Sequence, residues 1–189
     1  MIYSRPLLKT LLCLTAVSAG ATFNASPASA LLPSVKAGAG LQVLPEGPSL
    51  AASAWGSVDV LGWGATGHFW RRLTATPQHW FSLAARRNMS LAPMIAVAPM
   101  IGIAGLGDTG ATALGPFAGL SGRFAPILMP FAFEAQAGAA WINGSLVLPY
   151  SLGAKISLIP LTAVSLRWRG WEGSAFRFSG PEIGLEAGF

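Results

Sequence analysis

The chain is short of cysteine, charge and histidine, and each shortage closes off a class of protein. Its one cysteine, Cys13, lies in an apolar N-terminal segment. The remainder can therefore use neither disulfides nor thiolate metal sites. Leu12 stands before Cys13 where a lipobox would have a small residue, so no lipoprotein is expected. Charged residues make up 10% of the chain, against roughly 25% in a soluble domain. After the N-terminal segment there is no uninterrupted apolar run of ~18 residues, so membrane helices are excluded too. The cations are scattered and form no basic stripe, which argues against a nucleic-acid partner. His68 and His79 are the only histidines. Without nearby carboxylate pairs they fall short of the three or four ligands of a metal site, and no motif calls for a cofactor.

The N-terminus has the grammar of an export signal. Arg5 and Lys9 form a positive start, Leu7 to Gly20 is mostly apolar, and Ala28-Ser29-Ala30 is a small-x-small cleavage site. Residues 1–30 read as a secretory signal peptide cut after Ala30, leaving one domain over residues 31–189. With Arg5 and Lys9 set aside, ten Lys or Arg stand against seven Asp or Glu, a net charge of +3.

What the mature part has in abundance is alternation. From Ser145 to Leu158, Leu146, Leu148, Tyr150, Leu152, Ala154, Ile156 and Leu158 alternate with small or polar residues. Period two over this length signals a strand, and a strand long enough to cross a bilayer when tilted, which takes roughly 9–11 residues. Asn143-Gly144 precedes it and suits a two-residue type I′ hairpin turn. Before that turn, Ile127 to Trp141 alternates in the same way. Further strands are expected over Val35 to Leu44, Leu50 to Trp63, Leu91 to Leu106, Ala111 to Phe124, Ala163 to Trp171 and Gly180 to Phe189. Pro45-Glu46-Gly47-Pro48 is a turn, and Trp171 to Gly180 an outer loop. Gly67 to Asn88 reads either as two short strands around Thr76-Pro77-Gln78 or as one strand with a long loop, giving ten strands or eight. Pro93, Pro99, Pro130 and Pro149 fall inside the expected strands, where each removes a ladder donor and calls for a bulge or bend. The fold expected is all-β: an antiparallel up-and-down transmembrane β-barrel of about 8–10 strands.

In the last segment, Ile183, Leu185, Ala187 and Phe189 share one face and Glu182, Gly184, Glu186 and Gly188 the other. A final strand of this kind, ending the chain on Phe189, resembles the closing strand of bacterial outer-membrane β-barrels. The resemblance is to small barrels of the OmpA, OmpX and OmpW kind as a class, and it covers nearly all of the mature chain. It implies an outer-membrane address, membrane lipids as surroundings, and Phe189 as a signal read by the barrel-insertion machinery. The adhesins among small barrels have long protruding loops, which this chain lacks.

Glu134, Lys155, Arg167, Arg169, Glu182 and Glu186 share the polar face of the last four strands and would meet in the lumen as a charge network. A barrel of ~8 strands is just filled by its own side chains, so such a network reads as a plug before it reads as a selectivity filter. Trp55, Trp63, Trp141, Trp168 and Trp171, with Trp70 and Trp80, suit the aromatic girdles at the membrane interfaces. Arg71-Arg72 and Arg86-Arg87 could face lipid phosphates. Gly105-Leu106-Gly107-Asp108-Thr109-Gly110 looks like a phosphate loop but lacks the Gly-Lys-Ser/Thr ending, and reads as an outer turn. No catalytic residue is expected, and no Gly-x-Ser-x-Gly elbow occurs.

Three functions follow. The first is a structural, membrane-integrity barrel with a filled polar lumen. The second is a narrow pore or a carrier of small apolar molecules, suggested by Ala92, Met94, Ala96, Ala98 and Met100 on one inner wall. The third is a lipid A-modifying enzyme. It would use His68 or His79 with Ser57, Asp59 or Ser82, although the C-terminal His-x-Ser arrangement of the deacylases is absent. A soluble carrier barrel is excluded, because the charges are too few to coat an outside.

Overall fold

The computed structural model describes residues 33–45, 49–75, 77–108, 110–126, 129–159, 161–174 and 177–188. The expected signal peptide with Cys13, residues 46–48 of the expected turn and Phe189 lie outside the described residues.

Eleven strand segments follow one another: β1 (Ser34–Leu44), β2 (Ser49–Val60), β3 (Trp63–Arg72), β4 (His79–Arg87), β5 (Met89–Ala92), β6 (Ile95–Gly107), β7 (Thr112–Phe124), β8 (Phe131–Ile142), β9 (Ser145–Ile159), β10 (Thr162–Gly173) and β11 (Arg177–Gly188). Among the described residues there is no helix. β4 and β5 both pair with β6, so they are two halves of one barrel strand broken at Asn88. Each strand pairs antiparallel with its neighbours in sequence, β1 pairs with β11, and the β4–β6 pairing completes the circle. The result is a closed, up-and-down, ten-stranded barrel. Gly67 to Asn88 therefore takes the two-strand reading, with the hairpin bend over residues 73–78.

No connection is longer than six residues. Both chain ends of the barrel domain and the turns at 61–62, 93–94, 125–130 and 160–161 lie at one end, the terminal end. The turns at 45–48, 73–78, 108–111, 143–144 and 174–176 lie at the far end. Asn143 and Gly144 take φ values of 49° and 74°, the two left-handed residues that a type I′ turn demands.

Three expected boundaries move. Leu50 to Trp63 is two strands, because Leu61 and Gly62 (φ 54° and 79°) form a second tight turn. Leu-Gly carries no turn signature, so the register alone reveals it. Leu91 to Leu106 is broken by a turn at Pro93-Met94. Trp171 to Gly180 is strand at both ends, and only residues 174–176 connect them. The phosphate-loop look-alike also divides: Gly105 to Gly107 close β6, and the turn is 108–111. There Asp108 accepts a hydrogen bond from the Gly110 N–H at 2.9 Å. Backbone hydrogen bonds at Gly110 and Ala111 hold its carboxyl below the ordinary aspartate range.

The prolines need no bulges. Pro93 is in a turn and Pro130 precedes β8. Pro99 lies at the gap where β6 leaves β4 and has not yet met β5. Pro149 lies where the β8–β9 ladder skips from Ala137–Tyr150 to Ala140–Val147. Pro116 and Pro181 sit one residue beyond the ends of the β7–β8 and β1–β11 ladders. Every in-strand proline thus occupies a place where one of its two ladders is already missing. The two register irregularities are elsewhere, at Ser90/Ala92 and Thr162/Ala163.

Alternation sorts the side chains. Apolar residues line the exterior, with Ile101 69% and Leu152 65% exposed among many others. A surface so uniformly apolar is far beyond the patches that soluble monomers tolerate and matches the outer band of a membrane barrel.

A direct check uses proline placement. Pro99→Ala should leave urea stability unchanged within about 0.5 kcal/mol. Ile101→Pro, at a position paired on both sides with Ala85 and Ala118, should cost at least ~1–3 kcal/mol. Equal losses at the two positions would show that the ladder gaps are not real.

Candidate functional site in the barrel lumen

The lumen is divided along its axis. Toward the far end, β1, β2, β3, β4, β8, β9 and β10 turn Leu44, Ala51, Trp70, Trp80, Ile142, Val147 and Trp171 inward, and none of these is more than 3% exposed. The Trp171 ring lies 4.8 Å from Trp70 and 6.3 Å from Trp80, centroid to centroid. Phe178 packs on Trp70 at 5.8 Å, and the Arg72 guanidinium lies over the Phe178 ring at 5.0 Å. Gln42, fully buried, ties the cluster to the wall. It accepts the Trp70 Nε1–H at 2.7 Å and donates to the carbonyls of Arg169 and Gly180 at 2.8 and 3.0 Å.

Below this aromatic plug a polar chamber of about 720 Å³ opens at the terminal end. Its charges come from strands all around the ring. Arg86 bonds Asp59 through Nε at 2.9 Å, and Asn88 adds a bond to the same carboxylate at 2.7 Å. β3 runs between their strands, and its Gly64 lies in register with both Asp59 and Arg86. A Cβ at Gly64 would collide with the Asp59 carboxylate, so the ion pair needs glycine there. Lys155 pairs with Glu186. Trp55 donates Nε1–H to Glu186 at 3.2 Å, and the Arg167 guanidinium stacks over its ring at 4.3 Å. The ring lies where Cβ atoms at Gly38 and Gly184 would be. Deeper, Glu182 is fully buried between Arg167 and Arg169 at 3.4 and 3.5 Å. Among the described residues, no hydrogen bond reaches either Glu182 oxygen, nor Arg169 Nη1.

The six charged residues singled out by alternation all face this lumen. Five of them enter ion pairs; Glu134 stands opposite Arg123 in the ladder without one. Reading only the last four strands missed Lys36 and also the Asp59–Arg86 pair, whose members lie on different strands. The tryptophans divide. Trp63, Trp141 and Trp168 are half-exposed on the outside. Trp55 and Trp171, expected at the membrane interfaces, instead point into the lumen, and so do Trp70 and Trp80. Parity carried the signal for Trp171, which shares its face with Arg167 and Arg169.

Parity also splits the arginine pairs. Arg71 and Arg87 are exposed outside, Arg87 over the Trp63 ring at 5.0 Å, while Arg72 and Arg86 turn inward. The β6 wall is apolar inside: Met100, Ala98 and Ala104 are buried, and Ala96, Ala98 and Met100, with Phe117 of β7, form an apolar side of the same chamber that the charges line. His68 is half-buried, stacked on Trp171 and opposite Ser82, with its buried Nε2 unpartnered among the described residues. His79 binds Thr112 Oγ1 at 2.8 Å at the far end. Asp59 is engaged by Arg86 and Asn88. The residues of the lipid A-modifying reading are thus not joined by hydrogen bonds to one another.

No family model and no curated protein matches the chain. Solved structures do. An outer-membrane channel from Pseudomonas putida F1 is similar over 87% of this chain and 99% of that one, with a TM-score of 0.50 and 9% identity. The KdgM porin is similar over 82% and 99%, with a TM-score of 0.47 and 9% identity. A de novo designed transmembrane β-barrel is similar over 82% and 95%, at 0.44 and 7%. Apart from the designed barrel, these neighbours are bacterial outer-membrane barrels, and at such identities the likeness is one of fold.

The buried charge cluster gives a test of its own. Glu182→Gln leaves two arginines buried without a counter-charge and should destabilise the barrel by about 3–5 kcal/mol. Equilibrium unfolding in detergent and urea measures it. An unchanged midpoint would mean that the arginines are hydrated in place.

Proposed function

We propose that the protein is a small outer-membrane barrel with a structural, membrane-integrity role and a lumen that is shut at rest. The observation that carries this reading is the plug. Leu44, Trp70, Trp80 and Trp171 are each at most 1% exposed, and a water-filled passage through that layer would wet them. The apolar exterior supports a bilayer as the surrounding solvent. In the same reading residues 1–30 direct export, Phe189 is recognised by the insertion machinery, and the terminal end faces the periplasm. The far-end turns then face outward. Arg71 and Arg87, outside at opposite rims, meet lipid headgroups.

A gated pore is the second reading. It is favoured by the polar chamber, which leaves the plug as the barrier along the axis. A carrier for apolar molecules is disfavoured by the charges that ring the chamber.

Conductance in planar bilayers decides between the first two. The purified barrel, shown to be folded by heat-modifiable gel migration, should be silent. The double variant Trp70→Ala/Trp171→Ala should show discrete single-channel steps. Steps from the unaltered protein would instead establish an open or spontaneously gating pore.

A further inference from the structure

The plug accounts for the far half of the lumen and leaves the chamber unexplained. Six cations line it: Lys36, Arg86, Arg123, Lys155, Arg167 and Arg169. Against them stand Asp59, Glu134 and Glu186 on the wall and Glu182 beneath. A merely structural network would be expected to balance, yet among the described residues two positive charges are in excess. They are also concentrated. Lys36 on β1, Arg86 on β4, Arg123 on β7 and Lys155 on β9 line the same chamber, with Glu186 close to Lys36 as well, so cations from four separated strands converge near the mouth. Arg86 and Lys155 have carboxylate partners. Among the described residues, Lys36 and Arg123 have no ion pair.

Further in, Arg169 is 6% exposed and its Nη1 has no hydrogen-bond partner. Ser57, Thr66, Ser82, Gln136 and Ser151 add neutral hydrogen-bonding groups along the same wall. A recess with a net excess of one charge sign and low-dielectric walls focuses its field on its contents. Lysine and arginine together bind phosphate and carboxylate oxygens through charge-assisted hydrogen bonds.

We infer that the chamber is a binding site for a small, water-soluble, multivalent anion bearing phosphate or carboxylate groups, held at the mouth by Lys36 and Arg123. The same oxygens occur on lipid headgroups, but the mouth lies on the barrel axis, and acyl chains would have to follow the headgroup into a polar lumen. The site does not depend on whether the plug ever opens.

Pyrophosphate is a suitable probe, titrated calorimetrically into the purified mature barrel in neutral detergent. The expected result is saturable binding at one site per barrel. Lys36→Met and, separately, Arg123→Gln should each weaken it at least tenfold, with folding verified by heat-modifiable migration. Arg87→Gln, outside over Trp63, should leave it unchanged. Absence of saturable binding to a folded barrel would overturn the inference. So would binding that survives both lumen substitutions, or binding lost when neutral nanodiscs are doped with a phosphate-headgroup lipid, which would reassign the anion to the membrane.

Discussion

Everything in this molecule depends on backbone hydrogen bonds that must be satisfied from within. Its outside is apolar, and a polar backbone group facing hydrocarbon without a partner costs several kcal/mol. The solution is closure: β6 meets β4 and β5, β1 meets β11, and no sheet edge remains. The same constraint explains the prolines. Residues that cannot donate are tolerated at Pro99, Pro116, Pro149 and Pro181 because a ladder is interrupted or ended beside each. Sequence alternation and backbone closure thus reinforce one another. Period two sends apolar side chains outward along every strand, and closure turns the opposite faces into an enclosed lumen.

Enclosure sets the energetics inside. Charges that would be screened on a surface are held in a low dielectric, so they either pair or leave an unbalanced field. Glu182 shared by two arginines, Asp59 with Arg86 and Lys155 with Glu186 are the paired set. Small residues make that pairing possible: Gly64 lets partners from β2 and β4 meet across β3, and Gly38 and Gly184 give room to the Trp55 ring. The far half follows a different rule. There tryptophan rings fill the cross-section, and Gln42 supplies a buried hydrogen-bonding link that fixes Trp70 against β10 and β11. The lumen therefore has a dry end and a wet end, and the two ends carry different functional readings.

Much of this was legible beforehand. Long period-two stretches such as Ser145 to Leu158, and Asn143-Gly144 between them, announce a hairpin without any tertiary information, because the pleat forces alternate side chains apart. The inward placement of Glu134, Lys155, Arg167, Arg169, Glu182 and Glu186 follows from the same parity. The turn at Leu61-Gly62 was not legible, since neither residue type demands it and only pairing with β1 and β4 places it. The tryptophans misled because the residue type suits both a membrane interface and a packed core.

By itself, then, the sequence determined that this chain forms membrane-compatible antiparallel strands with one apolar and one polar face, because side-chain parity is a local property of an extended backbone. Only the tertiary structure decided that ten strands close the ring. It also decided that Trp55, Trp70, Trp80 and Trp171 lie inside, that Asp59 meets Arg86 across Gly64, and that Lys36 and Arg123 share a chamber. Those outcomes depend on which strands face one another across the lumen, and that is set by closure and register between residues more than a hundred positions apart.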